Sequence, residues 1–80
     1  MNYYVYVLKS KVNGKTYTGH TENLEKRIKE HNAGKTKSIK PYIPYELVYS
    51  EHYNSRYEAI KREKFLKSGI GREFIKSLIK

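Results

Sequence analysis

Three short stretches of apolar or alternating residues predict three β-strands. Residues 3–8 carry β-branched or aromatic side chains on both faces, which is typical of a central strand buried on two sides. Residues 15–20 predict a second strand, and the intervening Asn13-Gly14 is a strong signal for an antiparallel hairpin. Residues 45–52 show alternation again and predict a third strand.

A helix is predicted directly after the second strand. Either Thr21 or Asn23 can cap its first turn, and the helix is expected to run to about Ala33. Gly34 then fits the position that follows a helix end, where a left-handed backbone is common. Residues 35–44, which are basic and contain both prolines, are expected to form a loop.

Two more helices are predicted in the last third of the chain. Ser55 followed three residues later by Glu58 forms a capping-box signature. This helix is expected to continue to about Ser68 and to end at Gly69. Residues 72–79 predict a short terminal helix with apolar residues on one side.

The order of these elements, β-β-α-β-α-α, predicts an α+β fold in which a small three-stranded antiparallel sheet is flanked by helices. Eighty residues support a single domain, residues 1–80, with one modest core. There is no cysteine, so disulfides and thiolate metal sites are excluded. No signal peptide and no stretch of transmembrane length is recognisable, so a cytoplasmic location without membrane association is expected.

Charge points to a polyanionic partner. The net charge is +9, from 17 basic and 8 acidic residues, and the excess is concentrated in the segment before the third strand and in the last helices. This asymmetry favours nucleic acid, although lysine-rich small proteins also use charge simply for solubility. The nine tyrosines add side chains that can pack a core or contact phosphate. The candidate nucleic-acid-binding residues are Lys35, Lys37, Lys40, Lys64 and Lys67.

Arg27 and His31 are the first candidates for chemistry. They are four residues apart in the first predicted helix and therefore share a face. Leu24 and Ile28 flank them, which places both at the border of the buried stripe and directs them toward the sheet. For Arg27 alone, an ordinary exposed helix charge is the simpler interpretation.

Glu63 is a second candidate because of its position in a helix. It falls on the same face as the apolar residues Ala59, Ile60 and Leu66. A carboxylate in such a position must be paired, hydrogen-bonded or bound to a cation. Two interpretations follow with equal weight: a structural salt bridge to Arg27 or to a lysine, or a ligand for a hard divalent ion such as Mg²⁺.

The ordered set of motifs resembles the GIY-YIG nuclease superfamily, and in particular its short, stand-alone, uncharacterised bacterial members. The resemblance covers nearly the whole chain. Each triplet alone is weak, but five segments in the right order form a specific pattern. They are Tyr4-Val5-Tyr6, Tyr17-Thr18-Gly19, Leu24-Glu25-Lys26-Arg27 with His31-Asn32, Tyr45-Glu46-Leu47-Val48-Tyr49-Ser50, and Glu58-Ala59-Ile60-Lys61-Arg62-Glu63-Lys64.

The resemblance implies a role for each matching residue. Tyr6 and Tyr17 would be the active-site tyrosines, one of which assists deprotonation of the attacking water. Arg27 would stabilise charge on the phosphate in the transition state. His31 matches a histidine implicated in acid–base work in some relatives. Glu63 would hold a single divalent metal ion, Mg²⁺ or Mn²⁺.

The implied activity is hydrolysis of DNA phosphodiester bonds, with branched or damaged DNA as a candidate substrate for repair; RNA stays open, and no obligate protein partner is evident. Many relatives carry an asparagine after the metal-binding helix, whereas this sequence has none after Asn54. An alternative is therefore a basic nucleic-acid-binding module with weak or no catalysis. A small structural protein whose charge only maintains solubility is a third interpretation.

Overall fold

A computed structural model describes residues 2–78, which form an α+β fold with one three-stranded antiparallel sheet, as predicted. The strands are β1 (Tyr3–Ser10), β2 (Thr16–Thr21) and β3 (Tyr45–Tyr53). Their spatial order is β2-β1-β3, so β1 is central and β2 is an edge strand. Both neighbours of β1 run antiparallel to it.

Three α-helices surround the sheet: α1 (Leu24–Asn32), α2 (Arg56–Lys67) and α3 (Gly69–Leu78). No helix within residues 2–78 is long and apolar enough to span a membrane. A 3₁₀ helix, Lys37–Tyr42, lies between α1 and β3. The prediction of an irregular loop over residues 35–44 was therefore wrong for residues 37–42, where the buried Ile39 anchors the chain against the sheet.

The hairpin between β1 and β2 closes through a compact turn. Ser10 is buried, and its Oγ accepts hydrogen bonds from the backbone N–H groups of Val12 and Asn13 at 3.0 and 3.2 Å. Gly14 has φ +73°, a left-handed conformation that glycine adopts without steric cost. The Asn13-Gly14 signal for a hairpin is thus confirmed, although β1 extends to Ser10 and the second strand begins one residue later than predicted.

Both faces of β1 are buried, as predicted for a central strand. On one face, Val5 and Val7 pack with Ala59 of α2 and Ile75 of α3. The opposite face contributes Tyr6 and Leu8 to a second cluster. The other members of that cluster are Ile39, Tyr45, Tyr17, Leu24, Ile28 and Ile43. The sheet therefore separates α1 on one side from α2 and α3 on the other.

Asn23, and not Thr21, caps α1. The Asn23 side chain accepts a hydrogen bond from the Lys26 backbone N–H at 3.1 Å, whereas the Thr21 hydroxyl accepts from Asn23 N–H. At the other end, Gly34 has φ +80°, as expected just past a helix C-terminus.

The connection from α2 to α3 is tighter than the sequence suggested. The predicted start of the last helix at residue 72 was wrong, because α3 begins at Gly69. Ser68 ends α2 and also caps α3: its Oγ accepts from Gly71 N–H at 3.2 Å, and its carbonyl accepts from Arg72 N–H at 2.9 Å. A single residue, Ser68, therefore separates the two helices, whereas the sequence predicted a non-helical stretch over residues 69–71. Ile79, part of the predicted helix, lies outside the described residues.

Candidate active site

The hairpin register places two tyrosine rings side by side on the face that packs against α1. Tyr6 pairs with Gly19 across the strands, and Leu8 pairs with Tyr17, so all four point to the same face. The ring centroids of Tyr6 and Tyr17 are 6.4 Å apart. A Cβ atom at Gly19 would lie 2.6 Å from the Tyr6 oxygen, so the phenol occupies space that a side chain at this position would fill.

His31 completes this aromatic cluster from α1. Its side chain is fully buried, and a 2.9 Å hydrogen bond joins its Nε2 to the Tyr6 hydroxyl. A second bond of 2.9 Å joins Nδ1 to Oγ1 of Thr36. The imidazole also meets Tyr17 edge-on, with centroids 4.9 Å apart. Both ring nitrogens are therefore occupied and the ring orientation is fixed.

Electrostatics keeps the Tyr6–His31 pair uncharged at neutral pH. Burial, reinforced by the nearby Arg27 guanidinium, lowers the pKa of His31 below its ordinary value. Burial raises the pKa of Tyr6 to about 12, although Arg27 acts in the opposite direction. A neutral phenol thus faces a neutral imidazole.

Arg27 lies one helical turn before His31, as predicted, and remains accessible. Its side chain is 36% exposed, and Nη1 donates to Glu30 Oε1 at 3.3 Å. A neighbouring pair between Glu25 and Lys29 forms at 3.3 Å, with both side chains largely exposed on the outer side of the helix. Arg27 is therefore the solvent-accessible neighbour of the buried cluster, and its ion pair with Glu30 is weak and partly exposed.

Glu63 lies on the other face of the sheet, where α2 packs. Its Oε1 is 2.5 Å from His20 Nδ1, and its Oε2 accepts from Lys67 Nζ at 2.7 Å. The expected salt bridge to a lysine is thus present, whereas the one to Arg27 is not among the ion pairs of residues 2–78. Burial alone would raise the pKa of Glu63, but hydrogen bonds from Lys67 and His20 outweigh it and hold that pKa below its ordinary value.

The Tyr6–His31 cluster and Glu63 lie on opposite faces of the sheet, but both lie next to its edge strand, β2. Gly19 and His20 are consecutive in edge strand β2, and their positions face opposite sides. The Glu63 carboxylate contributes to the raised pKa of Tyr6, so the groups interact electrostatically despite lying on different faces. The structure therefore brings Tyr6, Tyr17, Arg27 and His31 together directly and places Glu63 around the edge from them.

Comparison with known proteins identifies the family of this chain. The sequence matches the family model of the GIY-YIG catalytic domain over residues 2–72. The chain belongs to the GIY-YIG family. Nuclease activity, and with it a nucleic-acid substrate, is the class that this GIY-YIG domain indicates.

This chain is also similar to individual proteins. It is 48% identical over 67 residues to the UPF0213 protein SH2523 of Staphylococcus haemolyticus, covering 82% of this chain and 80% of that protein. It is 43% identical over 68 residues to the UPF0213 protein NP_0776A of Natronomonas pharaonis, covering 84% and 79%. The solution NMR structure of the UPF0213 protein BH0048 from Bacillus halodurans matches with TM-score 0.60 and 38% identity, covering 99% of this chain and 86% of that one. These names describe no reaction.

The lysines predicted to bind nucleic acid are exposed on two separate parts of the GIY-YIG domain. The first group, Lys35, Lys37 and Lys40, follows α1 on the face of the aromatic cluster. Lys64 and Lys67 belong to α2, on the opposite face. They therefore form two groups on either side of the sheet instead of one patch.

Glu63 is a possible metal ligand only in a sparsely coordinated site. Residues 2–78 contain no group of three or more histidine or acidic side chains that could enclose an ion. Mg²⁺ commonly uses one or two carboxylates and keeps several waters, so a half-buried carboxylate that is 17% exposed fits this mode. Lys67, whose side chain is 53% exposed, has room to move away from the carboxylate.

Three residues near the site were not predicted. Thr36 contacts His31, and His20 contacts Glu63. Both contacts join different elements of the fold, so the periodicity of a single helix or strand does not reveal them. Gly19 was part of a recognised motif, but its packing under the Tyr6 phenol emerges only from the strand register.

Proposed function

We propose that this domain is a divalent-metal-dependent endonuclease that hydrolyses phosphodiester bonds of DNA. The observation that carries the proposal is the Tyr6–His31 hydrogen bond, set beside Tyr17 and Arg27 at the open edge of a GIY-YIG sheet. A buried phenol–imidazole pair next to an accessible guanidinium supplies proton transfer and charge stabilisation in one place.

Proton transfer is assigned to Tyr6 and His31 acting together. A phenol with a pKa of about 12 is a poor base on its own near neutral pH because it is almost fully protonated. Neutral His31 can take the Tyr6 proton through the existing 2.9 Å contact while Tyr6 takes one from the attacking water. Thr36 holds the other ring nitrogen, so the imidazole stays aligned during the transfer.

Charge stabilisation is assigned to Arg27, with Tyr17 as a second hydrogen-bond donor toward the phosphate. The Arg27 side chain is 36% exposed, and its contact with Glu30 is long at 3.3 Å. A phosphate oxygen could therefore replace the Glu30 carboxylate as the partner of the guanidinium. Guanidinium groups suit this role because they present several donors in a rigid plane.

Glu63 is assigned as the ligand of Mg²⁺ or Mn²⁺. When bound, such an ion neutralises phosphate charge and lowers the pKa of a coordinated water. Hydrogen bonds from Lys67 and His20 hold the carboxylate ionised, as a metal ligand requires, and the exposed Lys67 side chain would move away for the ion to bind.

The test is cleavage of plasmid, single-stranded and branched DNA, with RNA alongside, in Mg²⁺ or Mn²⁺. Arg27→Ala and Glu63→Gln are each expected to slow cleavage by about 100-fold or more. Glu25→Gln is the matched control for Glu63→Gln, because Glu25 also pairs with a lysine four residues later but lies on the outer side of α1. A wild-type rate no higher than that of the Arg27→Ala/Glu63→Gln double variant refutes the proposal.

The alternative function, a basic binding module without catalysis, is favoured by one observation: both Glu63 oxygens already have cationic or imidazole partners. It predicts that Glu63→Gln leaves DNA affinity unchanged or tighter in the absence of metal, and that wild-type protein does not cleave. Weaker binding by a folded Glu63→Gln variant argues against it.

A further inference from the structure

A groove runs along the outer edge of β2, between the hairpin turn and α3. Two contiguous depressions of about 520 and 260 Å³ form it, and they share Thr16, Arg72 and Ile75. The smaller depression reaches Tyr17 and Lys67, and the larger one extends to Lys15 and the last turns of α3. The groove therefore reaches one member of the aromatic cluster, Tyr17, at one end and the hairpin turn at the other.

All charged residues that line this groove are basic. Its basic lining residues are Lys15, Lys67, Arg72 and Lys76, and no acidic residue lines it. The depressions beside α1 differ, because both include Glu25. A concave surface lined by charges of one sign focuses the electrostatic potential and attracts a ligand of the opposite charge.

Three of the four groove cations have few competing partners; Lys67 is the exception, because its Nζ donates to Glu63 Oε2 at 2.7 Å. Within residues 2–78, neither the Lys15 ammonium nor the Arg72 guanidinium forms an ion pair. Lys76 approaches Glu73 only at 3.8 Å, with both side chains 75% exposed. Exposed pairs of this kind contribute little, so the lysine is available to another anion.

We propose that this groove, defined by Lys15, Lys67, Arg72 and Lys76, holds the sugar–phosphate backbone of one strand of duplex DNA and guides it to Tyr17. The identity of the occupant rests on the proposed function. Arg72 and Lys76 are one helical turn apart and so project side by side along the groove, as a row of phosphates requires. Leu66 and Ile75 at its base are buried, which leaves no protruding apolar group for a membrane surface.

The test is binding of a fluorescein-labelled DNA duplex to the full chain in EDTA, followed by anisotropy at a series of salt concentrations. The double variant Arg72→Gln/Lys76→Gln is expected to lower the slope of log affinity against log salt by about 1.8, since each lost phosphate contact removes about 0.9. The matched control Arg56→Gln/Lys61→Gln removes the same charge from exposed positions of α2 outside the groove and is expected to change the slope by less than half as much.

Equal slope changes in the two double variants would show an effect of net charge alone and would overturn the proposal. Single-turnover cleavage in Mg²⁺ separates this result from the fate of the proposed function. If wild type cleaves, the groove variant is expected to need a higher protein concentration for half-maximal cleavage than the Arg56→Gln/Lys61→Gln control; equal half-maximal concentrations contradict a binding role. If wild type does not cleave, the proposed activity is refuted. The salt slopes measured in EDTA still show whether the groove binds duplex DNA.

Discussion

The hydroxyl of Tyr6 and Nε2 of His31 are 2.9 Å apart in the interior, a hydrogen bond between residues 25 positions apart in sequence. It ties the central strand to α1, and Thr36 fixes the far side of the imidazole. Within residues 2–78, no fully buried side-chain nitrogen or oxygen lacks a partner, so this polar cluster is completely satisfied. A satisfied network in a buried cluster holds its groups in one geometry, which proton transfer requires.

Tyr6→Phe is expected to reduce both stability and cleavage. The substitution leaves a buried imidazole nitrogen without a partner, which typically costs about 1–3 kcal/mol of unfolding free energy. It also removes the group assigned to deprotonate water, and such groups contribute about 10²–10⁴-fold to rate. Urea denaturation and single-turnover cleavage measure the two effects.

Tyr4→Phe is the matched control for that change. Tyr4 is in the same strand and on the same face, but its ring packs on His52 at 5.3 Å, away from His31. A hydroxyl removed there is expected to leave the cleavage rate within about twofold. Equal losses of rate in both variants would contradict the role assigned to Tyr6.

Stability is expected to fall as pH drops below about 6.5, because the buried imidazole of His31 resists protonation. Its pKa is lowered in the folded protein, so between that value and the ordinary 6.5 the unfolded chain binds more protons than the native one. The free energy of unfolding should therefore rise with pH across this window, by up to about 1.4 kcal/mol per pH unit. Glu51 and Glu63, whose pKa values are lowered from 4.5, act only at lower pH.

Urea denaturation between pH 5 and pH 8 measures that slope, and His31→Gln is expected to flatten it. An NMR titration of the His31 ring in the wild type provides an independent check if the variant does not fold. A midpoint at or above 6.5 would contradict the assignment of a buried, neutral imidazole.

The sheet and helices were predictable because their signals are local. Strand β1 is apolar on both faces, which indicates burial on both sides. Elsewhere, apolar residues that recur every second residue in a strand, or every 3.6 residues in a helix, indicate which side is buried. The start of α3 was missed because Ser68 serves two helices at once, so the glycines after it do not end a helix. The 3₁₀ helix was missed because a single buried side chain, Ile39, holds it.

Part of the site was predictable for the same reason. Arg27 and His31 share a face by helix geometry alone, and so does Glu63 with its apolar neighbours. The partner of Glu63 was not predictable: His20 is 43 residues away and reaches it only because α2 packs across β2. Contacts of this kind depend on how elements pack, which no single-element pattern contains.

Gly19→Ala is expected to displace the Tyr6 phenol and so weaken its bond to His31. The added Cβ would lie 2.6 Å from the Tyr6 oxygen and 2.9 Å from its ring carbon, so the ring must shift. Cleavage should fall, and unfolding free energy should drop by about 1–3 kcal/mol, as in other overpacked cores. Because the hydroxyl is the closest atom, the change should cost less in a Tyr6→Phe background. Additive costs in the double-mutant cycle would show that the phenol is not what the alanine meets.

Gly71→Ala is expected to disrupt the contact between α2 and α3 more severely than any exposed substitution. Its Cβ would lie 2.1 Å from the Phe65 carbonyl oxygen and 2.5 Å from the Leu66 Cα, and backbone atoms cannot rotate away. We expect a loss of about 2 kcal/mol or more in urea denaturation. Gly69→Ala provides the matched control, because a Cβ there meets no atom within 4 Å and alanine favours helix by up to about 1 kcal/mol. Since Arg72 directly follows Gly71, the displaced helix should also weaken duplex binding in the groove. Unchanged stability for Gly71→Ala would mean that the two helices do not cross as closely as described.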